Sequence, residues 1–128
     1  MKLLLDTHSF LWFVTNDAQL SARALALISD PANDVFISPA TYWEVAIKVS
    51  IGKYPLTVPF DSFFTTALTA NAISILPIEI RHAAMLATMS MHHKDPFDRM
   101  IAAQSLVEQI SVVSVDVALD SYGVIRLW

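Results

Sequence analysis

The sequence predicts an α/β fold with three layers, in which a central parallel sheet of four to five short strands is flanked by helices on both faces. Short apolar runs alternate with stretches of helical periodicity along the whole chain, which is typical of strand–helix–strand units joined by right-handed crossovers. The chain has 128 residues, is 55% hydrophobic and contains only 2 Gly and 6 Pro. This length is typical of one domain, so we expect residues 1–128 to form a single domain.

The composition excludes several classes of protein. The chain has no cysteine, which excludes disulfides, thiol catalysis and zinc sites built from cysteine. The apolar run Met1–Leu5 is interrupted at Asp6, too early for a signal peptide. The longest stretch without charge, Ser62–Ile78, contains several Thr, an Asn and a Pro, so it does not predict a membrane span. We therefore expect a soluble, cytoplasmic protein.

The net charge of −4 does not exclude a nucleic-acid partner. Nucleic-acid-binding proteins are usually basic, whereas this chain has 12 acidic residues against 8 Lys and Arg. If about four acids belonged to one metal site, the remaining acids would equal the basic residues in number, and the bound cations would reverse the local charge.

The first strand is predicted at Lys2–Leu5, with Asp6 directly after it and a helix over Thr7–Val14. Open parallel sheets bind their ligands at the carboxyl ends of the strands, which makes Asp6 a candidate site residue. The alternative is that Asp6 only caps the helix that follows it. A second helix is predicted at Leu20–Ser29 and a second strand at Val35–Ser38.

A third helix is predicted over Thr41–Ser50 and contains Glu44. Glu44 lies four residues before Lys48, the spacing of a surface ion pair. Its neighbours along the chain are mostly apolar, however, and a buried carboxylate needs a partner. We therefore favour a functional role for Glu44. The next elements are a helix at Phe60–Ala70, a strand at Ile73–Leu76 and a helix at Glu79–Met91.

The segment His92–Ser105 is the most informative stretch of the chain. Asp95 is predicted at the N-cap of a helix, with Pro96 at its first position and Asp98 in its first turn. Acids stabilise a helix start, so this pattern has a purely structural alternative. His92 and His93 precede Asp95 without a third ligand at helical spacing, which favours solvated loop histidines over a zinc site.

The last elements are a strand at Ile110–Val115 followed by Asp116, a short helical turn at Leu119–Tyr122, and a strand at Val124–Leu127 at the edge of the sheet. Four acids can therefore meet at one end of one sheet, and such a cluster stays ionised only if a cation compensates it. The sequence predicts a divalent-cation site formed by Asp6, Glu44, Asp98 and Asp116.

Four motifs carry a resemblance to a known family. They are LLLDTH around Asp6, WEVAIK around Glu44, DPFDRMIAAQ around Asp98, and SVD ending at Asp116. With these motifs in this order, the chain resembles PIN-domain proteins, and among them the VapC-type toxin ribonucleases of bacterial toxin–antitoxin pairs. Ser114 stands where the family often has Thr, which keeps the hydroxyl.

The resemblance implies a PIN-like fold and an endoribonuclease that uses Mg²⁺ or Mn²⁺, hard ions that suit oxygen ligands. It implies that two ions about 4 Å apart hold the attacking water and the leaving oxygen. Asp6, Asp98 and Asp116 would contact the metal, and Glu44 would hold a second ion or a water on it. Further implied roles are orientation of these ligands for Thr7 and Ser114, capping and a minor site role for Asp95, and phosphate contact for Arg99 and Lys48.

The resemblance also implies partners, namely an RNA substrate, a cognate antitoxin protein and a second copy of the chain in a homodimer. Two other functions are compatible with parts of the sequence. A phospho-transfer module also places an Asp after its first strand, but His8 stands where the phosphatases of this class need a second Asp. A PIN-like docking module for RNA or protein without turnover is the alternative that the four intact acids disfavour.

Overall fold

The computed structural model describes residues 1–128 and contains one five-stranded parallel sheet. The strands are β1 (Lys2–Leu5), β2 (Asp34–Ile37), β3 (Ile73–Ile75), β4 (Ser111–Val113) and β5 (Arg126–Leu127), in the order β3-β2-β1-β4-β5. The helices are α1 (Thr7–Val14), α2 (Ala22–Ser29), α3 (Pro39–Ser50), α4 (Phe60–Ala70), α5 (Ile80–Thr88) and α6 (Pro96–Glu108), and a 3₁₀ helix spans Val117–Tyr122. The predicted α/β class with a central parallel sheet is confirmed.

The predicted order of strands and helices is the observed one, and the differences lie at the ends of elements. Helix α3 starts at Pro39, two residues before the predicted start, because the Ser38 side chain caps it and proline suits a first helical position. Helix α5 ends at Thr88, three residues before the predicted end at Met91. The last strand lies at the sheet edge, as predicted. No helix combines the length and the hydrophobicity that crossing a membrane requires.

Strand β1 lies at the centre of the sheet and is covered on both faces. Leu3 and Leu5 point to one face, where they join a core that includes Phe10 of α1. Leu4 points to the opposite face and packs in a second core that includes Ile101 of α6. Alternate residues of a strand point to opposite faces, so three consecutive leucines supply both cores.

The carboxyl ends of β2, β1 and β4 meet at one edge of the sheet. Leu5 is in register with Ile37 on one side and with Val113 on the other. The residues that follow these three strand ends are therefore neighbours, and all of them are polar and buried: Ser38, Asp6 and Ser114. This edge is where a parallel sheet binds its ligands.

A buried histidine joins α5 to α6 on the side of the sheet away from α1. The His82 ring accepts a hydrogen bond at Nδ1 from the backbone N–H of Glu79, 2.9 Å away. Its Nε2 atom therefore carries the ring proton and donates to Glu108 Oε1 at 2.9 Å. Arg81 also contacts Glu108 and Glu79, so this cluster is a satisfied link between two helices and not a second cation site.

Candidate metal centre

Asp6 is buried at the end of β1 and is held by two serines. Its Oδ1 atom accepts the backbone N–H of Ser9 at 2.8 Å, which makes Asp6 the N-cap of α1, and its Oδ2 atom accepts the hydroxyl of Ser114 at 2.5 Å. Ser9 in turn donates its own hydroxyl to the Val113 carbonyl at 2.9 Å. Asp6 therefore caps α1, which was the structural alternative for this residue, and its second oxygen faces β4.

Ser114 connects Asp6 to Asp116. Its hydroxyl donates to Asp6 and accepts the backbone N–H of Asp116 at 3.0 Å. Asp116 caps the 3₁₀ helix by accepting the N–H of Ala118 at 3.0 Å through Oδ1, which leaves Oδ2 directed toward the other acids. The hydroxyl at position 114 therefore holds the Asp6 carboxylate and the backbone of Asp116, and this is the geometry expected of a residue that positions metal ligands.

Asp98 belongs to two sets of possible metal ligands. It approaches Glu44 and Asp95 on one side and Asp116 and His93 on the other, with one ligand atom of each residue within 4.8 Å of the rest of its set. Asp95 caps α6 by accepting the N–H groups of Phe97 at 2.8 Å and of Asp98 at 3.2 Å. The helix start that the sequence predicts is confirmed, and it is this start that aims Asp98 at the site.

Glu44 is almost fully buried in α3, with 6% of its side chain exposed. Its Oε2 atom pairs with Lys48 at 2.8 Å, one turn along the helix, so the ion pair expected from the spacing is present. Its Oε1 atom is buried and has no hydrogen-bond partner in the protein. An unpaired buried carboxylate oxygen costs free energy, and a bound cation or its water would supply the missing partner.

The prediction for His93 was wrong. Only 17% of its side chain is exposed, and its Nε2 atom lies 2.6 Å from Asp116 Oδ2 and 3.2 Å from Asp98 Oδ2. Two side-by-side histidines in a loop have no periodicity that shows which one points inward. His92 does stay outside this cluster, where its ring packs edge-on against Tyr122.

The remaining candidates lie around the cluster. Thr7 is buried and donates its hydroxyl to Thr41 at 3.3 Å, which links the start of α1 to α3. Arg99 donates to the Met89 carbonyl at 3.3 Å, and its buried Nε atom has no partner. Lys48 lines a cavity of about 410 Å³ together with Lys53 and Trp12. Of these three, Lys48 is the one in direct contact with a cluster acid.

Burial and mutual repulsion make the free cluster hard to ionise. Burial, and then the charges of Asp95 and Asp6, raise the pKa of Asp98 to about 7, although His93 opposes the shift. Burial also raises the pKa of Asp6, against the lowering effect of the hydrogen bonds from Ser114 and Ser9. A divalent cation would remove this penalty, because it stabilises the ionised form of every carboxylate near it.

The residues present fit a hard divalent cation. Asp98 shares one set of possible ligand atoms with Glu44 and Asp95 and another with Asp116 and His93, whereas Asp6 lies in neither set. The carboxylates offer oxygen ligands, and the chain has no thiolate. Mg²⁺ and Mn²⁺ prefer carboxylate oxygens, whereas softer metals prefer sulfur or several imidazoles. The unpaired Glu44 Oε1 atom and the raised pKa of Asp98 both indicate that a bound cation would stabilise the folded protein here.

Three solved structures are similar to the whole fold. VapBC2 from Rickettsia felis, bound to a DNA fragment from its promoter, has a TM-score of 0.71 at 13% identity, over 99% of this chain and 98% of that chain. VapBC-1 from nontypeable Haemophilus influenzae has a TM-score of 0.68 at 15% identity, over 99% and 97%. FitAcB from Neisseria gonorrhoeae has a TM-score of 0.67 at 21% identity, over 98% and 96%.

The sequence itself identifies the family. No curated protein is significantly similar to the chain in sequence. The model of the PIN domain family matches residues 3–125, which include all four acids of the cluster. The resemblance drawn from the four motifs is thereby confirmed. The chain belongs to the PIN domain family.

Proposed function

We propose that the chain is a metal-dependent endoribonuclease and the toxin of a toxin–antitoxin pair. Asp6, Glu44, Asp98 and Asp116 would hold Mg²⁺ or Mn²⁺ at the carboxyl edge of the sheet. The observation that carries the proposal is the position of Asp98, whose carboxylate lies within reach of both Glu44 and Asp116 and is hard to ionise without a cation. Membership of the PIN domain family supports the same function.

The protein's part in the reaction is to fix charge and orientation. A bound divalent cation lowers the pKa of a water and stabilises charge on a phosphodiester. Ser114 and Ser9 hold the two oxygens of Asp6 in place, so that this ligand needs no reorganisation. Lys48 fixes Glu44 and, from the same position, can contact an RNA phosphate that enters the cavity it lines with Lys53.

Arg99 has a weaker basis as a phosphate ligand. It follows Asp98 on α6, and one step along a helix turns a side chain by about 100°. Its guanidinium group instead donates to the Met89 carbonyl at the end of α5. We propose that Arg99 holds the segment between α5 and α6 in place, and that Lys48 is the principal basic group at the site.

RNA cleavage by the purified chain tests this function. Wild type is expected to cut RNA with Mg²⁺ or Mn²⁺ and to stop when a chelator is added. Glu44→Gln is expected to cut at least about tenfold more slowly, because it removes one negative charge from the cation's surroundings. Products resolved on a denaturing gel provide the measurement.

The matched control is Asp34→Asn. Asp34 starts β2 and thus lies at the opposite edge of the sheet from the cluster, so the same loss of one carboxylate should leave cleavage unchanged. Equal cleavage by wild type and Glu44→Gln would indicate a contaminating ribonuclease. If neither protein cuts any class of RNA and calorimetry shows no metal binding, the docking module becomes the better proposal.

A homodimer and an antitoxin are the proposed protein partners. An apolar cavity of about 350 Å³ opens beside the site and is lined by Trp43, Ile78 and Phe97, and Trp43 is 62% exposed. Large exposed apolar patches mark protein interfaces. The similarity to the VapBC structures supports an antitoxin as the second kind of partner.

Light scattering after size exclusion is expected to give twice the monomer mass of 14.2 kDa. Ile78→Lys should shift the protein toward the monomer, because a charged side chain would be desolvated in an apolar interface. Ile78 is partly exposed in the single chain, so the substitution should leave the fold intact. A mass of one chain at every concentration would disprove the dimer.

A further inference from the structure

His93 occupies the space between two acids of the cluster. Its Nε2 atom is 2.6 Å from Asp116 Oδ2 and 3.2 Å from Asp98 Oδ2. Both of these oxygens belong to the carboxylates proposed above as cation ligands. A single ring nitrogen thus contacts the same two oxygen atoms that a cation between Asp98 and Asp116 would contact.

The other ring nitrogen shows which proton the imidazole carries. Nδ1 accepts the backbone N–H of Asp95 at 3.0 Å. A nitrogen that accepts a hydrogen bond carries no proton, so the proton of the neutral ring is on Nε2. Nε2 therefore donates to Asp116 Oδ2, while Asp98 Oδ2 lies 3.2 Å from the same nitrogen. A protonated nitrogen has no lone pair for a metal, and His93 in this arrangement is a donor to the ligands and not itself a ligand.

The segment that carries His93 is fixed from outside the cluster. The Tyr122 hydroxyl oxygen accepts the backbone N–H of His93 at 2.8 Å and that of His92 at 3.1 Å. Tyr122 ends the 3₁₀ helix that Asp116 caps, so the anchor and the acid belong to one short element. The backbone of His93 is therefore held by Tyr122, and its ring is held by the Asp95 N–H and by Asp116.

We infer that His93 is a positioning residue that takes the place of the cation between Asp98 and Asp116, and that it competes with the cation for their oxygens. This inference rests on the proposed function. In the metal-free protein, the Nε2–H group offsets the repulsion between the two carboxylates and keeps them together. Cation binding has to break the hydrogen bond to Asp116 and displace Nε2 from Asp98, so His93 weakens the affinity of the site for metal while it preserves the shape of the site.

Two substitutions distinguish the roles of the two ring nitrogens of His93. In His93→Asn the side-chain oxygen can accept the Asp95 N–H in place of Nδ1, but nothing reaches the carboxylates. In His93→Gln the amide nitrogen can reach the position of Nε2 and still donate to them. We expect the Asn variant to bind Mn²⁺ about tenfold more tightly than wild type, the effect of losing one competing charge-assisted hydrogen bond. The Gln variant is expected to stay close to wild type.

The measurement is calorimetric titration of the full chain with Mn²⁺, at the same pH for every sample. His92→Asn is the control, since His92 contacts Tyr122 and none of the acids, and its affinity should equal that of wild type. Pulsed electron paramagnetic resonance of the bound Mn²⁺ is expected to show no coupling to an imidazole nitrogen.

Mn²⁺ binding by His93→Asn that is equal to or weaker than that of wild type would overturn the inference, because His93 would then not compete with the metal. A nitrogen coupling in wild type that disappears in this variant would also overturn it, because His93 would then be a metal ligand. These results leave the proposed function intact as long as wild type binds Mn²⁺ and Asp98→Asn does not. Absence of Mn²⁺ binding in wild type and in every variant would overturn both proposals. If only His93→Asn bound Mn²⁺, the result would support the inference that His93 competes with the cation.

Discussion

The Asp98→Asn protein is expected to cleave RNA at least about a thousandfold more slowly than wild type. The substitution removes several kcal/mol of charge stabilisation from the transition state, and each loss of about 1.4 kcal/mol lowers the rate tenfold. The same protein is expected to be more stable than wild type in the absence of metal. Burial disfavours the Asp98 carboxylate, and the charges of Asp95 and Asp6 disfavour it further. A neutral amide of the same shape removes these penalties.

The pH dependence of stability tests the second half of this prediction. The pKa of Asp98 is raised from 3.8 to about 7 in the folded chain. Between these values the folded state binds more protons than the unfolded state, so the free energy of unfolding falls as the pH rises. A shift of about three pKa units corresponds to at most about 4 kcal/mol, since each unit contributes about 1.4 kcal/mol.

Urea unfolding with a chelator, at about pH 5 and about pH 8, gives the measurement. We expect wild type to lose stability over this range and Asp98→Asn to lose markedly less. Asp34→Asn is again the control, because it removes an exposed carboxylate at the other edge of the sheet. If Asp98→Asn were less stable than wild type at about pH 8, its contact with His93 would outweigh the repulsion, and the cluster would not need a cation.

The sequence was sufficient for the fold because local pattern and global architecture agree. Most strands are short, largely apolar runs, and four of the helices, α1, α2, α3 and α6, have a residue before them whose side chain caps the helix. The ends of elements are less predictable, since they depend on tertiary contacts. The segment after Thr88 leaves the helix where the Arg99 side chain binds the Met89 carbonyl, a contact between residues ten positions apart.

The acids of the candidate site could be proposed from the sequence because each has a position that its element defines. Asp6 follows a strand, Asp98 lies in the first turn of a helix, and Glu44 stands among apolar neighbours. His93 has no such position. Its direction is set by Tyr122, a residue 29 positions further along the chain, and by a backbone N–H in the same loop. No spacing in the sequence reports either contact.

Phe64→Ala is expected to have the largest effect on stability, about 3–5 kcal/mol, or roughly 10–20 °C in the melting temperature of a domain of this size. Phe64 of α4 is buried and its ring stacks on Phe10 of α1 at 5.4 Å between centroids. Tyr42 of α3 packs edge-on against the same ring at 6.1 Å. The truncation would therefore leave a cavity between α4 and the two helices α1, which Asp6 caps, and α3, which contains Glu44.

The effect on activity separates packing from chemistry. Phe64→Ala touches none of the acids, so the fraction that remains folded at low temperature should cleave RNA at a rate within about threefold of wild type, whereas Asp98→Asn should be stable and inactive. Phe64→Leu is the matched control and should lose only about 1 kcal/mol, because most of the volume is kept. Thermal melts and cleavage rates on the same samples provide both readouts. The contrary result would be a fully folded Phe64→Ala sample that loses as much rate as Asp98→Asn. That result would mean that the packing of Phe64 against α1 and α3 positions Asp6 and Glu44.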